Sequence, residues 1–243
     1  RTFGCGYDII DNRDGQVYST VQIGNQCWMA ENMNYDNGCS SVTWVNSSDE
    51  GWCGCYENTS GNCDTYGLLY QWSAAMDSST TERAQGICPD GWHLPTDAEQ
   101  HTLDDYLATG TCDGNRSAVW DCDPAGTKMK TSSWGGDNSS GFTALPGGYR
   151  STVDGLFYLL DTHTYFWSSS SSGGDAWRRT LRSAYSTVYR SANDQGGAFP
   201  ARCVKDKATQ SSPSAPTCVE ETSDSITISS CENCEYSKDG GTT

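Results

Sequence analysis

The chain has 243 residues, a formal net charge of −16 from 31 acidic and 15 basic side chains, and 13 cysteines. So acidic a chain repels phosphate backbones and anionic lipid surfaces, which argues against nucleic acid or a membrane surface as its partner. Hydrophobic residues make up only 35%, but an aromatic share of 11% excludes a disordered chain and points to a small core built on Trp and Tyr.

In chain order, Asp14-Gly15 makes a turn, and residues 17–23 alternate apolar and polar side chains as a strand does. Residues 27–32 read as half-buried, and residues 34–64 as a long Cys-rich loop. The apolar stretch from Tyr66 to Met76 reads as a strand running into a short helix. Thr96, followed by Glu99 three residues on, is a capping box, and it opens a helix that Gly110 ends, with Leu103, Tyr106 and Leu107 on one face. Residues 111–141 read as a second loop. Strand-like pieces follow at 142–145, 156–160, 165–168, 176–181, 187–190 and 198–204. Pro200 lacks a backbone donor, which predicts an edge or a bulge there. The composition of KATQSSPSAPT at 207–217 is that of a linker. Beyond it, 218–243 reads as the opening strands of a β-sandwich-like segment or as a tail that donates a strand to a neighbouring sheet edge. No run of 18 apolar residues occurs, so no membrane insertion is expected, and the start at Arg1 rather than Met leaves an export signal to be expected upstream.

So many cysteines serve either disulfides or metal sites. Polar loops around them favour disulfides, and with them an exported, extracellular or surface-displayed protein. Cys39, Cys53, Cys55 and Cys63 could instead form a four-thiolate zinc site, but their spacing matches no familiar one. Cys231 and Cys234 have redox-motif spacing without the βαβ setting that goes with it. Asp11 and Asp14, with Asn12, form a loose loop of oxygens that could hold Ca²⁺ weakly. No other cofactor is indicated. His93 is expected as a buried, hydrogen-bonded ring, His101 as exposed on the helix, and His163 in a loop. No nucleophile elbow and no phosphate loop is present. The best candidate ligand face is 177–195, holding Trp177, Arg179, Arg182, Tyr185, Tyr189 and Arg190, the residue types that anchor interfaces. Asn46, Asn58, Asn115 and Asn138 open glycosylation sequons in expected loops.

Several strings in this order resemble one family: DGQVYSTVQIGNQCWMAEN at 14–32, YGLLYQW at 66–72, CPDGWHLPTDAE at 88–99, GFTALPGGYR at 141–150, FWSS at 166–169 and RCVKD at 202–206. They look like the Fibrobacter succinogenes major paralogous domain, which is similar to the C-type-lectin-like superfamily. The resemblance covers about residues 5–206. It implies an α+β, loop-rich, disulfide-stapled fold for 1–206, with paired first and last strands and a Cys88–Cys203 bridge. Beside it, the pairs Cys5–Cys27, Cys39–Cys53, Cys55–Cys63 and Cys112–Cys122 are expected. The chain departs from the family where Arg178-Arg179 follow Ala176-Trp177, and where Ala198-Phe199-Pro200-Ala201 precedes Arg202. The sugar-binding tripeptides of calcium lectins are missing.

The leading functional reading is therefore a non-enzymatic adhesion or binding module for a protein or glycan on another surface. A structural subunit of a surface filament or pilus, built from copies of the chain, is the second. The third is an enzyme, since formylglycine-generating enzymes share a distantly related fold, but only analogy of fold supports it.

Overall fold

The computed structural model describes residues 4–205. The expected linker and the segment after it, with Cys218, Cys231 and Cys234, lie outside the described residues.

The chain opens with β1 (Ile9–Ile10), β2 (Val17–Tyr18), β3 (Thr20–Ile23) and β4 (Gln26–Met29). The strand expected over 17–23 is broken at Ser19, because Tyr18 pairs back to Ile9 while Thr20 begins a new ladder with Met29. Ile23 pairs with Gln26 across a two-residue turn. Gly24 sits there at φ +58°, and a Cβ on it would come within 2.9 Å of the Tyr106 ring, so glycine is required twice over. Next come β5 (Cys53–Gly54), α1 (Ser60–Tyr66), β6 (Leu69–Tyr70) and α2 (Trp72–Ala75), the last two giving the strand-then-helix expected for 66–76.

After β7 (Trp92–His93), α3 (Asp97–Leu107) starts at the Thr96 capping box, with both reciprocal hydrogen bonds formed. Leu103 and Leu107 are buried, but Tyr106 is 63% exposed and leaves the expected apolar face. Residues 111–141 hold more order than the loop expected there, namely β8 (Val119–Asp121) and α4 (Ala125–Met129). The hairpin β9 (Gly147–Arg150) and β10 (Phe157–Leu160) follows. Residues 142–145 form no strand, only a bridge from Ala144 to Lys130. The long strands are β11 (His163–Ser172), β12 (Asp175–Arg182) and β13 (Val188–Asp194). His163 thus opens a strand rather than sitting in a loop. The piece expected at 198–204 is two short strands in different sheets, β14 (Phe199–Pro200) and β15 (Val204–Lys205). Pro200 lies at a sheet edge, since β14 pairs only with β6.

β15 pairs with β4 on one side and β7 on the other, which ties the first strands to the last. The largest sheet runs β11-β12-β13-β8, all antiparallel. One face buries Phe166, Leu181 and Val188 with Leu103 and Leu107 of α3 and Met129 of α4. The other face buries Tyr165, Trp167 and Ala176 with Tyr70, Trp72 and Phe199. The structure is mostly sheet with few helices, an α+β arrangement stapled by disulfides.

All five expected bridges are present: Cys5–Cys27, Cys39–Cys53, Cys55–Cys63, Cys88–Cys203 and Cys112–Cys122. Two polar nodes hold the loops. Gln71, fully buried, accepts from the Glu50 and Trp52 amides and donates to the Ser48 and Gly196 carbonyls, so all its hydrogen-bonding groups are met. Arg202 donates to Asn32 Oδ1 from Nε at 3.1 Å and from Nη2 at 2.7 Å, and to the Phe142 carbonyl from Nη1. Burial without a carboxylate partner pushes its pKa down to about 9.

Candidate functional site

The register of the large sheet decides which side chains of 177–195 can meet a ligand. Side chains alternate across a strand, so residues directly paired share a face. Trp177, Arg179, Leu181, Arg190 and Ala192 lie on the face toward α3, and Arg178, Thr180, Arg182, Tyr189 and Ser191 on the other.

Toward α3, the face carries a buried charge network. Arg179 donates from Nε to Asp104 at 2.6 Å and from Nη1 to Asp97 at 2.6 Å. Arg190 donates to Asp97 from Nη2 at 2.7 Å and to the Arg116 carbonyl from Nη1. Arg116 donates to Asp104 at 2.9 Å. Arg179 and Arg190 are only 2% and 6% exposed, and Arg190 lies 3.5 Å from the Trp177 ring centroid. Burial works against ionisation of Asp97, but the hydrogen bonds from Arg190 and the charge of Arg179 outweigh it and hold the carboxyl below its usual range. Asp97 also sits in the first turn of α3, where the helix dipole favours an anion.

The expectation of six exposed ligand contacts is therefore corrected. Arg179 and Arg190 pair inward, because α3 presents two carboxylates against that face. Trp177 is half-buried on the same side.

On the opposite face the rows run from buried to open. The Trp167–Arg178–Ser191 row abuts the core. In the next row Tyr165 and Thr180 are buried while Tyr189 and Trp120 are half-buried, and the His163–Arg182 pair closes the strand end. Trp120 stacks on Tyr185 with centroids 4.4 Å apart and planes 16° apart, and packs on Tyr189 at 5.1 Å. Tyr185 is 38% exposed, and the exposed Arg182 guanidinium sits 5.0 Å from its ring. Arg182, Tyr185 and Tyr189 are thus brought together, and Trp120 joins them. Sequence reading missed Trp120 because it sits in the short β8, inside a segment dominated by turn residues. The strand-type triplet Val119-Trp120-Asp121 beside Cys122 was the available signal.

A family model, the Fibrobacter succinogenes major domain, matches residues 21–205. The chain belongs to that family. Neither curated proteins nor solved structures yield a match to it.

The other chemical candidates are engaged in structure. Asp11 is 1% exposed, and both its oxygens are taken by Arg13, at 2.9 Å from Nε and 2.6 Å from Nη2. Asp14 is exposed and accepts the Gln16 amide, as a turn residue does. The pair expected to hold Ca²⁺ therefore offers no set of open oxygens, because a guanidinium already occupies the buried carboxylate. Asp36 lies with Cys39 and Cys53, and Asp121 with Cys112 and Cys122. In both groups the two sulfurs are bonded to each other, so neither supplies the thiolates that a metal needs. The four-thiolate zinc alternative fails for the same reason.

His93 is buried and shares a 2.9 Å hydrogen bond with Glu99, the carboxylate of the capping box. His101 is half-buried rather than exposed, with Nδ1 3.8 Å from the Cys112 sulfur. Asn46, Asn58 and Asn115 are exposed, whereas Asn138 is half-buried and donates to Thr143 Oγ1 at 3.1 Å. Among the described residues no helix is long and apolar enough to cross a membrane.

Proposed function

We propose that the chain is an extracellular, non-enzymatic binding module of C-type-lectin-like architecture, recognising a protein or glycan displayed on another surface. Five disulfides support an oxidising compartment, where such bonds persist. The last strand lying between β4 and β7, and the Cys88–Cys203 bridge reaching across 115 residues, support the lectin-like reading.

The observation that carries the binding reading is the Trp120, Tyr185, Tyr189 and Arg182 group. It is an aromatic and guanidinium surface set on a long antiparallel sheet, and residues of these types dominate binding energy at interfaces. A rigid platform loses little entropy on binding.

The test is a glycan and protein array with and without a calcium chelator, repeated with Trp120→Ala and Tyr185→Ala. Both variants are expected to weaken the captured ligand at least tenfold, with near-ultraviolet circular dichroism confirming the fold, since Trp120→Ala also removes two ring contacts worth about 0.5–1.5 kcal/mol each. Binding should survive the chelator. Capture that is unchanged in both variants would remove the binding face from this surface. Capture that needs calcium would restore a metal-dependent mechanism.

A further inference from the structure

Arg178 is the neighbour of Arg179 in sequence but its opposite in partnership. Arg179 meets Asp97 and Asp104. Arg178 points to the other face, where its guanidinium lies 4.8 Å from the Tyr165 ring and 5.3 Å from Phe199. It donates to Thr180 Oγ1, and to Asn193 Oδ1 at 3.4 Å, while its buried Nε has no acceptor. No carboxylate pairs with it, nor with the exposed Arg182 at the strand end, among the described residues.

In a chain of net charge −16 with 31 acidic residues, two uncompensated arginines on one face are a local inversion of sign. His163, paired with Arg182 across the ladder, reports the same field: burial first, then the charges of Arg182 and Arg178, push its pKa down. Asp154, on the turn of the β9–β10 hairpin, is exposed and accepts from Tyr158 Oη at 2.6 Å. A desolvated cation such as Arg178 without a counter-ion is costly, an anion brought close to this face would relieve that cost, and the exposed Arg182 can meet a carboxylate with charge-assisted, bidentate hydrogen bonds.

Resting on the binding reading above, we infer that this face takes a sugar carboxylate: the exposed Arg182 holds the acid group of a uronic-acid residue, Arg178 adds unneutralised positive charge deeper in the same face, and the Trp120–Tyr185–Tyr189 group packs on the neighbouring sugar ring. Tyr185, 38% exposed at the outer end of the stack, is the ring that the C–H bonds on one side of a pyranose would meet. Two arginines against an overall acidic chain suit a glycan with sparse carboxylates. A nucleic acid, with one charge per about 1.7 Å of duplex, needs many more cations.

The experiment titrates the intact chain, by tryptophan fluorescence and calorimetry, with uronic-acid tetrasaccharides. One is the hyaluronan tetrasaccharide, with one carboxylate per two sugars, and the other is tetragalacturonate. The carboxyl-reduced form of each serves as the neutral control, and a Glu-containing tetrapeptide as the acidic control. Binding of at least one acidic tetrasaccharide is expected, weakened tenfold or more by carboxyl reduction. Arg182→Gln, an exposed change that leaves the fold intact, should weaken it about tenfold, and Arg178→Gln by less, with near-ultraviolet circular dichroism confirming its fold.

Equal binding of the reduced sugar, no effect of Arg182→Gln, or no binding of either acidic tetrasaccharide at millimolar concentration would overturn the inference. Equal, Arg182-dependent binding of the peptide would also overturn it, in favour of an acidic protein partner. So would concentration-dependent sedimentation abolished by Arg182→Gln, which would make a second copy of this acidic chain the ligand. A neutral glycan captured through Trp120 and Tyr185 would sink this inference while leaving the binding face standing. Failure of Trp120→Ala to affect any ligand would sink both.

Discussion

Asp104→Asn is the sharpest test of how the large sheet is anchored to α3. Asp104 has no solvent exposure, and its Oδ2 accepts from both Arg116 and Arg179. The network holds three guanidinium groups against two carboxylates, so neutralising Asp104 leaves three buried cations facing Asp97 alone. Breaking a buried pair by removing one partner costs about 3–5 kcal/mol, because the other charge stays desolvated. In a folded unit of this size that is a fall in melting temperature of roughly 6–20 °C. Thermal and urea unfolding, with the disulfides intact, would measure it. Asp105→Asn on the exposed side of the same helix is the control, expected within about 0.5 kcal/mol of wild type. Adding Arg116→Met to Asp104→Asn should recover part of the loss, since it removes one of the stranded cations. A loss below about 1 kcal/mol, or a double variant worse than the sum of the singles, would refute the account of a buried network in which Asp104 holds two of the guanidinium groups.

Two further outcomes follow from the same structure. Replacing Cys88 and Cys203 by Ser should cost roughly 2 kcal/mol more than replacing Cys112 and Cys122, because the chain-entropy model gives about 5 kcal/mol for the longer loop and about 3 for the shorter; the sequence separations are 115 and 10 residues, and equal losses in urea titrations would contradict that origin. Glu99 governs an acid-sensitive part of stability: burial opposes its charge, but the His93 hydrogen bond and the Thr96 amide overcome it and bring its carboxyl down from 4.5 to about 2. With the folded pKa depressed, the stabilisation is full above pH 4.5 and is lost as pH falls toward 2. Urea midpoints across that window should therefore fall less steeply in Glu99→Gln than in wild type, and parallel curves would show that another group controls the acid limb.

What the sequence displays and what it hides follow from how local each signal is. The capping box was legible because its two partners are three residues apart and their hydrogen bonds close within one turn. The separated family strings make physical sense once folded: Asn32, Phe142 and Arg202, each from a different string, meet in one buried hydrogen-bonded cluster. Met29 and Cys203, likewise from two strings, join by a backbone hydrogen bond of 3.1 Å. Strand alternation, by contrast, shows that Arg178 and Arg179 face opposite ways but not which way is outward. That choice is made by α3, which brings Asp97 and Asp104 from about 75–82 positions upstream. The same limit hid Trp120, whose role depends on β8 joining the open edge of β13, where Trp120 pairs with Tyr189 from 69 positions downstream. A pattern of Arg, Trp and Tyr thus locates a ligand face only after each arginine has been tested for an acidic partner across the fold. By that criterion, Arg178 and Arg182 have no carboxylate partner among the described residues, and Arg179 and Arg190 belong to the scaffold.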